Sequence, residues 1–242
     1  MNAHVVIPLH RGGGKFGDNT ELRYAVRSWC THFKAPFDLS VVGVNSPDWL
    51  TGATHLPQGK GLKSALLAAA NLYPDGFIWA YDDCCLLKDA TLDEIKVTPA
   101  VANWGKVGSS WSRKLHEIKD RLVREGRPAR DYSRPHGPYW FDKSMIDECF
   151  ADWPGMAGKF PLESWILSKR DWPYRFKVVH QKYGAWSGPP DDGRFFLNYN
   201  ANGTTMQLLE FLQSRFGGPC WLERDEILDR HPAVESTLGP MI

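Results

Sequence analysis

Residues 76–89 read GFIWAYDDCCLLKD, an apolar run that ends on two adjacent carboxylates. Phe77, Ile78, Trp79, Ala80 and Tyr81 are the kinds of residue that fill a strand buried on both faces, and Pro74, Asp75 and Gly76 ahead of them are turn chemistry. The reading is a short central strand that delivers Asp82 and Asp83 to the rim of an apolar core. Neighbouring anions repel and are costly to desolvate there, so something has to compensate them. A divalent cation does so directly, and in open α/β sheets the ligand crevice lies beyond the carboxyl ends of the strands. The plainer alternative is a solvated pair that caps the next turn. The return of Leu86 and Leu87 into the core favours the site.

Upstream of this stretch the elements alternate. HVVIPL (4–9) reads as a first strand, Leu22, Val26, Trp29 and Phe33 mark the core face of a helix capped by Asp18 or Asn19, and FDLSVVGV (37–44) reads as a second strand. GKGLKSALLAAANLY (59–73) is the next helix, so strand, helix, strand and helix lead into the central strand, the unit of a parallel sheet. The expected fold is α/β, a single domain over residues 1–242 with a Rossmann-like, mostly parallel central sheet flanked by helices. Two anion contacts suggest themselves. His10, Arg11, three glycines and Lys15 after the first strand can cradle a diphosphate, although a flexible surface loop is an equal reading. Lys60 and Lys63 stand at the start of a helix, near its free amides.

Lys and Arg number 29 against 28 Asp and Glu, which argues against nucleic-acid binding by bulk electrostatics while leaving a local basic patch open. Five cysteines at positions 30, 84, 85, 149 and 220 include no CxxC pair, so reduced thiols in a cytoplasm are the simpler account than a disulfide framework or zinc cluster. The apolar run near the N-terminus is too short for a signal peptide and no run is long enough to span a bilayer, so a cytoplasmic protein is expected.

A Gly/Lys-rich helix start, an alanine-rich helix, a short turn and an apolar strand ending in Asp82-Asp83 together resemble the core of GT-A glycosyltransferases. In that family a DxD motif holds Mn or Mg against the diphosphate of a nucleotide sugar. Here the third position is Cys84, so the resemblance places the metal on Asp83 with help from Asp82. HGPYWFDK (136–143) is similar to a segment of Stealth-type and phage-type sugar transferases, which implies donor or acceptor contacts for His136, Tyr139 and Trp140. PLESWIL (161–167) starts a helix with Glu163 in its first turn, where the helix dipole favours an anion and a structural role suffices. The family resemblance implies more. An acidic residue opening a helix, then Arg170, then a strand ending in His180 would supply the base and a nitrogen ligand of the metal.

The resemblance therefore implies a metal-dependent transfer of sugar from a nucleotide diphosphate sugar, UDP-sugar first, to a hydroxyl. Residues 1–100 would hold the donor, with Pro8, His10 and Arg11 along base and ribose, and residues 101–242 the acceptor. Likeness to phage-type enzymes suggests a 5-hydroxymethylpyrimidine of DNA as that acceptor, in the host cytoplasm if the chain is phage-encoded. Arg121, Arg124, Arg127, Arg130 and Arg134 form the one basic concentration, which can steer such a polyanion, a mobile solvated loop being the plainer reading. GAWSGPPDDG (184–193) is a loop of the sort that closes over a donor. Two rivals stay open: a nucleotidyltransferase on the same fold, and an inactive interaction module whose Asp82-Asp83 pair is structural.

Overall fold

A computed structural model describes residues 2–9, 19–43, 45–57, 61–102, 104, 106, 108–153, 162–170, 172, 178–181, 186, 188, 195–199 and 203–224. The strand-helix-strand reading of the first half corresponds to β1 (Ala3–Leu9), α1 (Thr20–His32) and β2 (Phe37–Gly43). Then follow β3 (Thr54–Pro57), α2 (Leu62–Leu72), β4 (Phe77–Trp79) and β5 (Cys84–Leu86). The second half supplies α3 (Leu92–Val97), α4 (Ser110–Arg124), β6 (Tyr139–Phe141), α5 (Lys143–Asp152), α6 (Leu162–Leu167), β7 (Val178–Gln181), β8 (Phe196–Tyr199) and α7 (Met206–Phe216).

The main sheet has the order β3-β2-β1-β4-β6, parallel except for β6, which runs antiparallel to β4. Its central strands are buried on both faces: Val5, Val6, Ile7, Val41, Phe77 and Ile78 are fully enclosed, which is why they read as near-continuous apolar runs. Helix α2 packs on β1 and β2, α3 lies beside β6, and α5 packs against both α2 and α6. A smaller sheet, β5-β8-β7, is covered by α1 through β5, and α1 in turn meets α7. From β1 the chain builds outward to β2 and β3, then crosses back to β4 on the other side of β1. The strand order thus reverses between β1 and β4, and the crevice beyond their carboxyl ends is where such a sheet binds ligands.

Local chemistry accounts for most boundaries. Asp142 accepts from the Met145 amide at 2.8 Å and so caps α5, and Thr91 with Glu94 forms a complete capping box on α3. Asn19 opens α1 in the left-handed conformation with φ 58 and makes no side-chain cap, contrary to the capping expected of it. Pro8 is tolerated inside β1 because pairing with β4 has already ended at Val6; the missing amide costs the sheet nothing there. On α7, Leu208, Leu209, Leu212 and Phe216 form the buried face while Met206 is exposed.

Gly76 shows how tightly the central strand is entered. Its φ is +131, and a Cβ there would stand 2.0 Å from the Trp140 ring. Gly76→Ala is therefore expected to cost roughly 2–4 kcal/mol, adding backbone strain to overpacking. Urea unfolding measures this; a loss under 1 kcal/mol would mean that the Trp140 ring moves aside freely.

Candidate active site at the carboxyl end of β4

The apolar run ends earlier than its composition suggests. After Trp79 one more sheet bond forms, from the Ala80 amide to the Val6 carbonyl at 2.9 Å, and Tyr81 then leaves the sheet. The chain turns through Asp82 and Asp83, with the Cys84 amide donating to the Tyr81 carbonyl at 3.3 Å, and re-enters the core as β5. Both carboxylates consequently stand at the β1/β4 switch point.

Asp83 is held from three sides. His136 Nδ1 lies 3.2 Å from its Oδ1, and the Asn198 amide donates to the same oxygen at 3.2 Å. The Tyr199 amide donates to the Asp83 carbonyl at 3.1 Å. His136 sits just before β6 with a φ of 48, a left-handed conformation unusual for a side chain of this size, and its ring stacks on Tyr81 with centroids 4.5 Å apart. The Tyr81 hydroxyl in turn donates to Glu163 Oε1. Glu163 is only 2% exposed, on a helix whose six residues are all buried. A connected series, Glu163, Tyr81, His136 and Asp83, therefore lines the end of the central strand.

The electrostatics are those of an undercompensated acidic site. Burial, then the Asp83 charge, then that of Glu21 push the Asp82 carboxyl up to about 7, while His136 pulls it down. Burial and the charge of Glu163 raise the Tyr81 hydroxyl well above its ordinary range, so it stays protonated as the donor to Glu163. A raised folded-state acid favours the folded protein in its neutral form: that contribution is complete below the usual carboxylate range and is lost as pH rises towards about 7. Asp82→Asn should therefore match the parent near pH 4 and exceed it at pH 8 by on the order of 2 kcal/mol, discounted for partial exposure. Urea unfolding at the two pH values checks this; equal stability at both would show that Asp82 is fully solvated.

Other expected site residues are distributed differently. Backbone register sets His180 of β7 opposite Asn198 of β8, whose amide holds Asp83, so the strand expected to carry the nitrogen ligand lies one strand beyond β8 from the turn that bears the carboxylates. His10, Arg11 and Lys60, with most of residues 184–193, lie outside the described residues. Pro8 is buried near the end of β1, next to the switch point. Lys63 sets its ammonium over the Phe150 ring of α5, 4.6 Å from the centroid.

Tyr139 and Trp140 need correction as acceptor contacts. Tyr139 is fully buried, its hydroxyl donating to the Tyr132 carbonyl. Trp140 points to the other face and stacks at Gly76, the opposite end of β4 from the carboxylates, with Lys96 4.4 Å above its ring. In the arginine segment three guanidinium groups, of Arg121, Arg127 and Arg134, are engaged by acidic or aromatic side chains. Arg127 pairs with Glu125 at 3.2 Å, and Arg121 bonds Glu125 at 2.8 Å and lies over the rings of Trp153 and Trp165. Arg134 pairs at 2.8 Å with the fully buried Asp131. Ser164 of α6 accepts from the backbone amides of Tyr132 and Ser133, clamping residues 131–134 to the helix that carries Glu163. Arg130 belongs to the same clamp, its carbonyl accepting from Ser168 at 3.4 Å.

Tyr81 and Asn198 are site residues that sequence reasoning passed over. An aromatic closing a core strand looks like core, but the polar Asn198 inside FLNY was a usable signal, since a buried amide needs a partner. Among the described residues no three His, Cys, Asp or Glu side chains stand close enough to hold a metal by themselves. Two adjacent carboxylates still suit Mg or Mn, which keep waters and take substrate phosphates as further ligands. Among the described residues no helix is long and apolar enough to cross a membrane. No protein-family model matches the chain, and no curated protein matches it.

Proposed function

We propose that this chain is a GT-A-like glycosyltransferase that moves a sugar from a nucleoside diphosphate sugar to a hydroxyl acceptor, with a divalent cation, Mn or Mg, at Asp82 and Asp83. The observation that carries this reading is the connected series of Glu163, Tyr81, His136 and Asp83 at the carboxyl end of β4, beside an Asp82 whose carboxyl is pushed up to about 7. A purely structural pair would not gather so much uncompensated anionic character at a sheet's ligand crevice. The cation, when bound, supplies neutralisation of the leaving diphosphate.

The chain's own residues do the rest. His136, against both carboxylate oxygens, and Asn198, on one of them, fix the orientation of Asp83. Glu163 has almost no surface of its own, so it acts through Tyr81: the hydroxyl takes the acceptor's proton as it passes its own to Glu163. Glu163→Gln and Tyr81→Phe should each lower an inverting transfer by roughly 10²–10⁴-fold. Full activity of Tyr81→Phe would remove the relay, and full activity of both would remove Glu163 as base.

A thermal-shift screen of nucleoside diphosphates and their sugars, with and without Mn, tests the donor. At a hundredfold excess over Kd a ligand adds about 2.7 kcal/mol, a rise of roughly 5–10 °C for a chain of this size. The expected result is a rise with one nucleotide, UDP first, that requires the metal. No rise with any nucleotide would overturn the reading, and release of pyrophosphate on turnover would make the chain a nucleotidyltransferase. DNA carrying 5-hydroxymethylpyrimidine is the first acceptor to offer, on the strength of the motif resemblance, although Arg127, one of the two arginines expected to engage it, is paired with Glu125.

A further inference from the structure

Between α4 and β6 the chain passes through another buried carboxylate before it reaches the crevice. Asp131 is fully enclosed, and the Ala102 amide donates to its backbone carbonyl at 2.8 Å. Its Oδ1 accepts from the Ser133 and Arg134 amides at 3.1 Å each and from the Ser164 hydroxyl at 3.5 Å, while Oδ2 lies 2.8 Å from Arg134 Nε. Two short paths lead from this junction to the crevice. Ser164 adjoins Glu163 on α6, and its amide donates to the Ser133 hydroxyl at 3.1 Å. In the other direction Pro135 alone separates Arg134 from His136, and a proline leaves the chain little freedom. Beyond His136, a Cβ on Gly137 would stand 2.7 Å from the Ala100 Cβ, and the Tyr139 hydroxyl donates to the Tyr132 carbonyl. The loop is thus held on both sides of a histidine whose φ of 48 persists only where the surroundings impose it.

We propose that Asp131 is the positioning residue of the crevice: its one carboxylate fixes His136 through residues 133–135 and Glu163 through Ser164. The positioning stands on these contacts, and its use in sugar transfer rests on the function proposed above. A buried ion pair adds little stability over apolar packing of the same volume. What this one supplies is a fixed geometry for the amides of Ser133 and Arg134 and for the Ser164 hydroxyl. In Asp131→Asn the new amide would turn a donor towards Arg134 Nε, or towards the two backbone amides if it rotates, so one side of the junction must open. Asp131→Ala removes every one of these bonds together.

Magnetic resonance of the full chain, isotopically labelled at the histidine nitrogens, tests this. His136 faces a carboxylate through Nδ1, so that nitrogen carries a proton, and its signal is identified by its absence in His136→Gln. Asp131→Ala should lose the Nδ1–H signal and Asp131→Asn should shift and broaden it. The signals of His4, His32 and His55, on β1, α1 and β3, should stay in place. A His136 signal unchanged in the folded variants, or shifts shared by those three histidines, would overturn the proposal. Asp131→Asn decides even if the alanine variant fails to fold. Burial pushes the Asp131 carboxyl up to about 6, so a neutral group of its shape is tolerated, and Arg134, with 25% of its side chain exposed, can reach water. Where the parent transfers sugar, Asp131→Asn should also lower kcat by roughly 10²-fold, the effect of a misplacement on the order of 1 Å. An unchanged kcat would overturn the proposal for Glu163. A parent that transfers nothing removes the function proposed above, and the histidine signals still decide the positioning.

Discussion

Arg27→Ala is expected to destabilise the protein by about 3–5 kcal/mol, the cost of leaving a buried charge without its partner. Arg27 is 2% exposed and Glu223 8%, and the guanidinium meets the carboxylate through two parallel bonds of 2.7 and 3.0 Å. Its remaining nitrogen satisfies the carbonyls of Phe216 and Gly217 at the end of α7, where a helix leaves acceptors without partners and the dipole favours a cation. Truncation removes all four bonds together, leaving Glu223 with Arg23 at 3.5 Å and the Cys220 amide. Arg27→Lys keeps the charge but loses the planar fork, so its loss should be intermediate. The double variant Arg27→Ala with Glu223→Ala should lose less than the two single losses added, because no charge is then stranded. Urea unfolding of the set measures this, and a loss below 1 kcal/mol for Arg27→Ala would mean that water already reaches Glu223.

The clamp also shows where sequence stops being informative. Arg27 and Glu223 are 196 residues apart, and neither pattern nor composition relates them; only the folding of α7 onto α1 brings them together. Likewise, β3 escaped notice because THLP is an exposed to half-buried edge strand ending in proline, with almost no apolar alternation to read. The buried strands were legible for the opposite reason: β1, β2 and β4 lie between layers and are mostly apolar, interrupted only by His4 in β1 and by Asp38 and Ser40 in β2. At the site, Asp82 and Asp83 announced themselves by ending such a run, and His136 and Glu163 were singled out as motif positions. Tyr139 and Trp140 shared the motif but not the place. In an antiparallel strand beside β4, Tyr139 turns into the core and Trp140 is carried back towards Gly76, so of that segment His136 alone meets the carboxylates.

Asp83→Asn is expected to abolish metal-dependent binding of the nucleoside diphosphate sugar while the fold survives, so that the ligand-induced rise in Tm with Mn disappears. The amide keeps the shape of the carboxylate and can still accept from Asn198 at the place where Oδ1 lies 3.2 Å away. What it lacks is the negative charge that a hard divalent cation requires. Removing that charge also removes the second-largest influence holding up the Asp82 carboxyl, which should fall from about 7 but remain elevated, because burial is the larger cause. The unliganded variant should therefore be no less stable than the parent at pH 8, and a Tm several degrees lower would show Asp83 to be structural. His136→Gln separates orientation from charge, since it leaves both carboxylates but frees Asp83 from one of the groups that fix it. Its expected signature is weaker nucleotide binding that excess Mn partly restores, which Asp83→Asn cannot show at any metal concentration. If Asp83→Asn instead keeps the full Mn-dependent shift, the cation lies elsewhere, and the series from Glu163 to Asp83 serves the packing of α6 against β4 alone.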